Sequence, residues 1–152
     1  MKLELALFKN IIEHTPLVSI DLVITNKTGQ VLLGQRQNRP AKDFWFVPGG
    51  RIYKNETFRS AFSRLTTDEL NIEVSLEQSF FIGVFEHFYN DNVTGTDFST
   101  HYVVHGYQLN IDINDQHPFP NSQHSVFKWF EPEELLASKN VHQYTKNYFL
   151  PR

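Results

Sequence analysis

Two runs rich in aliphatic and β-branched residues, LVSIDLVITN at 17–26 and QVLLGQRQ at 30–37, are separated only by KTG. A chain with this pattern has to build a sheet, because runs of this kind bury their side chains only against neighbours. The short polar link supplies a turn, so the pair is expected to form a hairpin. A loop, NRPAKDF, leads to a short strand, WFVP, and then to Gly49-Gly50, which is expected to turn the chain. Helical spacing takes over next. Phe58, Phe62, Leu65 and Leu70 share one face, which predicts a helix from about Glu56 to Leu70, capped by Asn55. Asn71 stands where a left-handed C-terminal residue belongs.

The rest of the chain repeats the mixture. Residues 3–13 predict a short amphipathic helix with Leu5, Phe8, Ile11 and Ile12 on one face, stopped by Pro16. IEVSL, FFIGVFEHFY and HYVVHGYQLNI are strand-like, with NDNVTGTDFST a loop between the last two. After NDQHPFPNSQH come a final strand, SVFKWFE, and a helix begun by EPEELLAS. Hairpins mixed with two or three helices predict an α+β fold, a mixed sheet with helices on its faces.

Without repeats or low-complexity linkers, the 152 residues are expected to form a single domain, 1–152, long enough for a sizeable core. Hydrophobic residues make up 40% and Phe alone accounts for 14 positions, the composition of a packed globule. A net charge of −3 argues against broad nucleic-acid or anionic-membrane binding. An anionic ligand must then be met by local arginines, and Arg36, Arg39, Arg51 and Arg64 crowd one third of the chain. With no cysteine, disulfides, zinc-thiolate sites and thiol catalysis are excluded. The N-terminal stretch lacks the apolar core of a signal peptide and no 18-residue apolar run exists, so the default expectation is a cytoplasmic protein.

The stretch GGRIYKNETFRSAFSRLTTDELN, residues 49–71, carries the chemistry. On a helix, Arg64 and Asp68 share a face, with Glu69 about 100° around it. Gly50, Glu56, Arg64, Glu69 and Ile72 match, at the right spacing, the box of the Nudix hydrolase family, which the sequence resembles. Leu65 replaces a box glutamate, Thr66 an apolar residue, Asp68 a glutamate and Asn71 the closing glycine. Together with TPLVSIDLVI, LLGQRQNRPAKDFWFVPGGR, FEHFYNDNVTGTDFSTHYVV and QHSVFKWF, the reduced box looks like the GDP-mannose mannosyl hydrolase branch of that family.

The resemblance implies a Nudix-like α/β/α sandwich. It also implies Mg²⁺-dependent attack of water on C1 of the sugar of GDP-α-D-mannose, and of GDP-glucose, with inversion. One Mg²⁺, for which Mn²⁺ can substitute, would sit on the Gly49 carbonyl, the Glu69 carboxylate and the Gln123 side-chain carbonyl. His124 would be the general base. His87 would contact the sugar or orient groups, and Asp21 would bind a sugar hydroxyl or orient His124. Arg36 and Tyr102 would donate to the leaving phosphate, and Arg51 would contact the diphosphate. Arg64 would orient Glu69 or a phosphate, or form a structural ion pair. The branch is homodimeric. Phe8, Phe85, Phe88 and Tyr89 are candidates for stacking on guanine, whereas His14 and His142 have no functional case. Two alternatives stay open: phosphorus attack, as in ordinary Nudix pyrophosphohydrolases, and a nucleotide-sugar-binding module without catalysis.

Overall fold

The computed structural model describes residues 2–113, 116–120 and 124–151. Its seven strands form one mixed sheet: β1 Leu17–Thr25, β2 Val31–Arg36, β3 Trp45–Phe46, β4 Gly49–Arg51, β5 Phe80–Tyr89, β6 Thr100–Asn110 and β7 His124–Phe130. The helices are α1 Leu5–His14, α2 Phe58–Leu70, α3 Pro132–Ala137 and α4 Gln143–Lys146. The main path runs β3-β2-β1-β6-β5, with β4 also on β1 and β7 also on β2. Only β1 and β6 run parallel, in register along all of β1 from Leu17↔Tyr102 to Thr25↔Asn110.

The expected β1–β2 hairpin is thinner than its sequence suggests, because Thr25↔Val31 is its one registered pair. Beyond it the strands diverge, β1 to β6 and β4, β2 to β3 and β7. The reason lies in β1 itself, which is buried on both faces apart from Val18 and Thr25. A strand buried on both faces is a central strand with neighbours on either side, rather than half of a hairpin. Its even-numbered residues Ile20, Leu22 and Ile24 meet Ala61, Phe62, Leu65 and Leu70 of α2 in one core. On the opposite face Val23 joins Val31, Leu33, Phe46, Leu135 of α3 and Val141 in a second core. The sheet therefore lies between helices, as expected.

Three local expectations change. Gly49-Gly50 does not turn the chain but lies within β4, paired with Asp21 and Ile20. Glycine is needed there for space, since a Cβ on Gly49 would collide with the Ile20 carbonyl. Asn55 does not cap α2. It adopts a left-handed conformation (φ 70°), and the cap is Thr57, in a reciprocal box with Ser60. IEVSL forms no strand; α2 ends in left-handed Asn71 (φ 55°), and a 3₁₀ turn follows at Leu76–Gln78. The strand-like apolar residues of that segment instead pack against the core, Val74 buried within it and Ile72 and Leu76 at its edge.

Candidate active site

A cavity of about 240 Å³ opens where β1, β4, β5 and β6 meet the end of β2. Period-2 alternation turns Ser19 and Asp21 of β1 to the face opposite Ile20 and Leu22, and both line this cavity. The β ladders add two more groups. Leu17 pairs with Tyr102 and Tyr102 with His87, so the last two stand side by side in the wall. Arg36 enters from the end of β2, its Nε donating to the Pro40 carbonyl at 2.8 Å. Arg51 enters from β4, its guanidinium 5.0 Å from the centre of the Phe8 ring and 4.6 Å from that of Tyr53. Aromatic faces of this kind hold a guanidinium plane in place.

Six residues given catalytic, substrate or metal roles from the sequence thus converge on one cavity, Asp21, Arg36, Gly49, Arg51, His87 and Tyr102, together with Arg39 and two of the stacking candidates, Phe8 and Tyr89. Its electrostatics are strongly perturbed. Burial pushes the Asp21 carboxyl up to about 7, although a hydrogen bond from Tyr148 and the charge of Arg36 pull the other way. Burial, aided by His142, pushes His87 down to about 4, so its imidazole is neutral at neutral pH. Burial also raises Tyr102, which remains a hydroxyl donor. His87 is held flat against the Tyr144 ring, with centroids 4.3 Å apart and planes within 1°. Three lining arginines, Arg36, Arg39 and Arg51, beside a carboxyl whose ionisation is disfavoured by burial make a cavity suited to an anionic ligand.

Arg64 is not brought to that wall. Its Nε donates to Glu56 at 2.7 Å, one Nη donates to Glu56 and to the Arg51 carbonyl, and its plane lies 3.6 Å from the Tyr53 ring centre. Glu56 also accepts from the Tyr53 amide, and its bond to Arg64 holds its carboxyl below the usual range. The pairing of Arg64 with Asp68 read from their spacing is looser, at 3.8 Å, with Asp68 exposed. Arg64 and Glu56 therefore brace the β4–α2 connection.

Leu65, in place of a box glutamate, is 2% exposed and points at β4, where a Cβ on Gly50 would meet its Cδ2 at 2.7 Å. One turn further along the same side of α2, Glu69 is buried at 8% exposure. Among the described residues no cluster of three or more His, Cys, Asp or Glu could hold a metal ion. The donors that remain, the Glu69 carboxylate and the Gly49 carbonyl, are oxygens. Oxygens suit a Mg²⁺ that completes its shell with water and phosphate oxygens; Gly49 lines the cavity, whereas Glu69 is not among its lining residues. Gln123 lies outside the described residues. His124 begins β7, its backbone in register with Arg36.

Nothing in the sequence pattern singles out the C-terminal residues that stand behind this wall. Tyr148 donates to Asp21 Oδ2 at 2.5 Å. His142 caps α4, its Nδ1 accepting from the Tyr144 amide, and its ring packs on Phe46 and Tyr89. The available signal was the spacing of Tyr144 and Tyr148, four apart and so on one side of a helical turn.

Comparison with known proteins agrees with this architecture. The NUDIX domain model matches residues 15–151. The low-salt glycan biosynthesis protein Agl8 of Haloferax volcanii is 42% identical over 139 residues, 91% of this chain and 83% of that protein. Among solved structures, a MutT protein from Methanosarcina mazei superposes with a TM-score of 0.70 at 17% identity, over 90% of this chain and 92% of that one. The dihydroneopterin triphosphate pyrophosphohydrolase of E. coli superposes with a TM-score of 0.63 at 26% identity, over 86% and 90%. With the family model matched over nearly its whole length and the fold shared with these hydrolases, the chain belongs to the Nudix family.

Proposed function

We propose that this Nudix hydrolase cleaves the glycosidic carbon–oxygen bond of a GDP-hexose, GDP-α-D-mannose and also GDP-glucose, releasing GDP and the β-sugar. The observation that carries this reading is the burial of Leu65 at a box-glutamate position, which leaves α2 with one buried carboxylate, Glu69. Attack at phosphorus calls for a carboxylate array to hold metals and activate water, whereas departure of an intact diphosphate needs only charge neutralisation. The glycan-related name of the Haloferax relative supports a sugar-bearing substrate.

Bound on Glu69, the Gly49 carbonyl and Gln123, Mg²⁺ would supply positive charge to the leaving diphosphate. Arg36, Arg51 and Tyr102 line the cavity with donors for the same negative charge, which grows as the carbon–oxygen bond breaks. Neutral His87 offers one donor and one acceptor, the pair a sugar hydroxyl requires. Asp21 accepts a second hydroxyl or orients His124. His124 is the general base, taking a proton from water as it adds to C1 on the face opposite GDP. A histidine general base contributes about 10²–10⁴-fold. The protein works as a homodimer.

Hydrolysis of GDP-mannose with Mg²⁺ in ¹⁸O-labelled water decides between carbon and phosphorus attack. Label is expected in the sugar and none in GDP. Label in a phosphate, with GMP as product, would establish the ordinary pyrophosphohydrolase reaction instead. Tight GDP-mannose binding without turnover would establish a binding module.

A further inference from the structure

We propose that Tyr148 is a positioning residue of the active site: its hydroxyl locks the buried Asp21 carboxyl in the one orientation that serves the substrate. This inference rests on the glycosyl-hydrolase reading and adds the C-terminal segment to its machinery. The donor and acceptor are 127 residues apart in sequence, and the Tyr148 hydroxyl reaches Oδ2 of Asp21 at 2.5 Å. Asp21 is 8% exposed and lines the cavity. Its other oxygen, Oδ1, is turned to β4 and would lie 2.9 Å from a Cβ on Gly49. Tyr148 thus distinguishes the two oxygens, occupying one and leaving the other beside Gly49.

The segment that carries Tyr148 is tied down along its length. Trp45 donates its amide to the Asn140 carbonyl, and His142 donates to the Trp45 carbonyl, extending β3 by a parallel bridge at Val141. The Val47 amide donates to the fully buried Thr145 hydroxyl. The Tyr144 hydroxyl donates to the Phe88 carbonyl at 2.9 Å and accepts from the Phe88 amide at 3.0 Å, on the strand that bears His87. Tyr148 itself packs edge-on to Phe85, centroids 4.7 Å apart. One short segment therefore holds two cavity groups, with Tyr144 stacked on His87 and Tyr148 bonded to Asp21. A tyrosine serves this purpose well, since two torsions fix its hydroxyl and burial keeps the hydroxyl protonated.

The test is a double-mutant cycle on the full chain with Mg²⁺ and GDP-mannose, using Tyr148→Phe, Asp21→Ala and the pair. Tyr148→Phe is expected to lower kcat by about 10-fold or more, the scale of a misplaced active-site group, while KM stays within about 3-fold. In the Asp21→Ala background the same change is expected to do nothing further. A kcat near the wild-type value, or losses that multiply, would overturn the inference and leave Tyr148 a packing residue. The bond is also read directly in the wild-type protein by proton NMR. A slowly exchanging Tyr148 hydroxyl proton is expected, lost in Asp21→Ala, and its absence from the wild type would equally overturn the inference, even if Tyr148→Phe does not fold. Wild-type protein that releases GMP defeats the glycosyl reading alone, and the cycle is then scored on that reaction. Wild-type protein that turns over no nucleoside diphosphate sugar defeats both.

Discussion

At the scale of single residues, the decisive position is Leu65. In the sequence it reads as a missing glutamate; in the structure it belongs to the core between α2 and β1, against Ile20 and Phe62. Restoring the box by Leu65→Glu would place a carboxylate in the apolar packing between α2 and β1, against Gly50. A buried, unpaired charge costs on the order of several kcal/mol, or is neutralised by a large upward pKa shift. Chemical denaturation of Leu65→Glu should show a loss of about 3 kcal/mol or more, without appearance of pyrophosphohydrolase activity. A variant of near wild-type stability that releases GMP would mean this side of α2 tolerates the carboxylate array after all. The spacing of Arg64 and Asp68 was legible, yet Arg64 prefers Glu56, eight residues away, because a left-handed Asn55 folds the preceding loop back onto the helix.

At the scale of elements, strands and helices were legible where a pattern ran long enough to be periodic. The helix α2 lies within the range read from its apolar face, with only its start moved from Glu56 to Phe58. That shift turns on cap chemistry. Thr57 and Ser60 satisfy each other's backbone amides at 3.0 Å, an arrangement that Asn55, already committed to a left-handed turn, cannot match. Thr57→Ala should therefore cost about 1 kcal/mol in urea unfolding, the usual value of an N-cap side chain. A change below a few tenths would show that the cap contributes little beside the Arg64–Glu56 brace. IEVSL was misread because strand propensity is mainly a preference for half-buried surfaces, and here the core between α2 and β1 provides that surface without a ladder. The segment 143–149 went unread because four helical residues and a 3₁₀ turn are too short for periodicity to show, and the Tyr144–Tyr148 spacing is a weak signal by itself.

At the scale of the whole molecule, the cavity couples titration to folding through two buried groups of opposite sense. Asp21, raised to about 7 from 3.8, binds its proton more tightly when folded, so its contribution is present at low pH and is lost as pH rises towards 7. His87, lowered to about 4 from 6.5, binds its proton more weakly when folded, so its contribution is lost as pH falls from 6.5 towards 4. Between pH 4 and 6.5 the two slopes oppose each other, each about 1.4 kcal/mol per pH unit at most. Removing either one should tilt the profile: His87→Gln should lose stability as pH rises through this range, and Asp21→Asn should lose it as pH falls. Urea midpoints across the range check this, and parallel profiles for the two variants would refute the assigned burial. The layers, the long helix and the spacing of the reduced box were legible in the amino-acid pattern, because periodicity and spacing are local properties of a chain. The tertiary structure alone decided that β1 leaves its hairpin partner for β6, that Leu65 is core, and that Tyr148 stands behind Asp21. Those outcomes depend on which distant surfaces compete for the same buried face, and that competition is resolved only when the whole sheet closes.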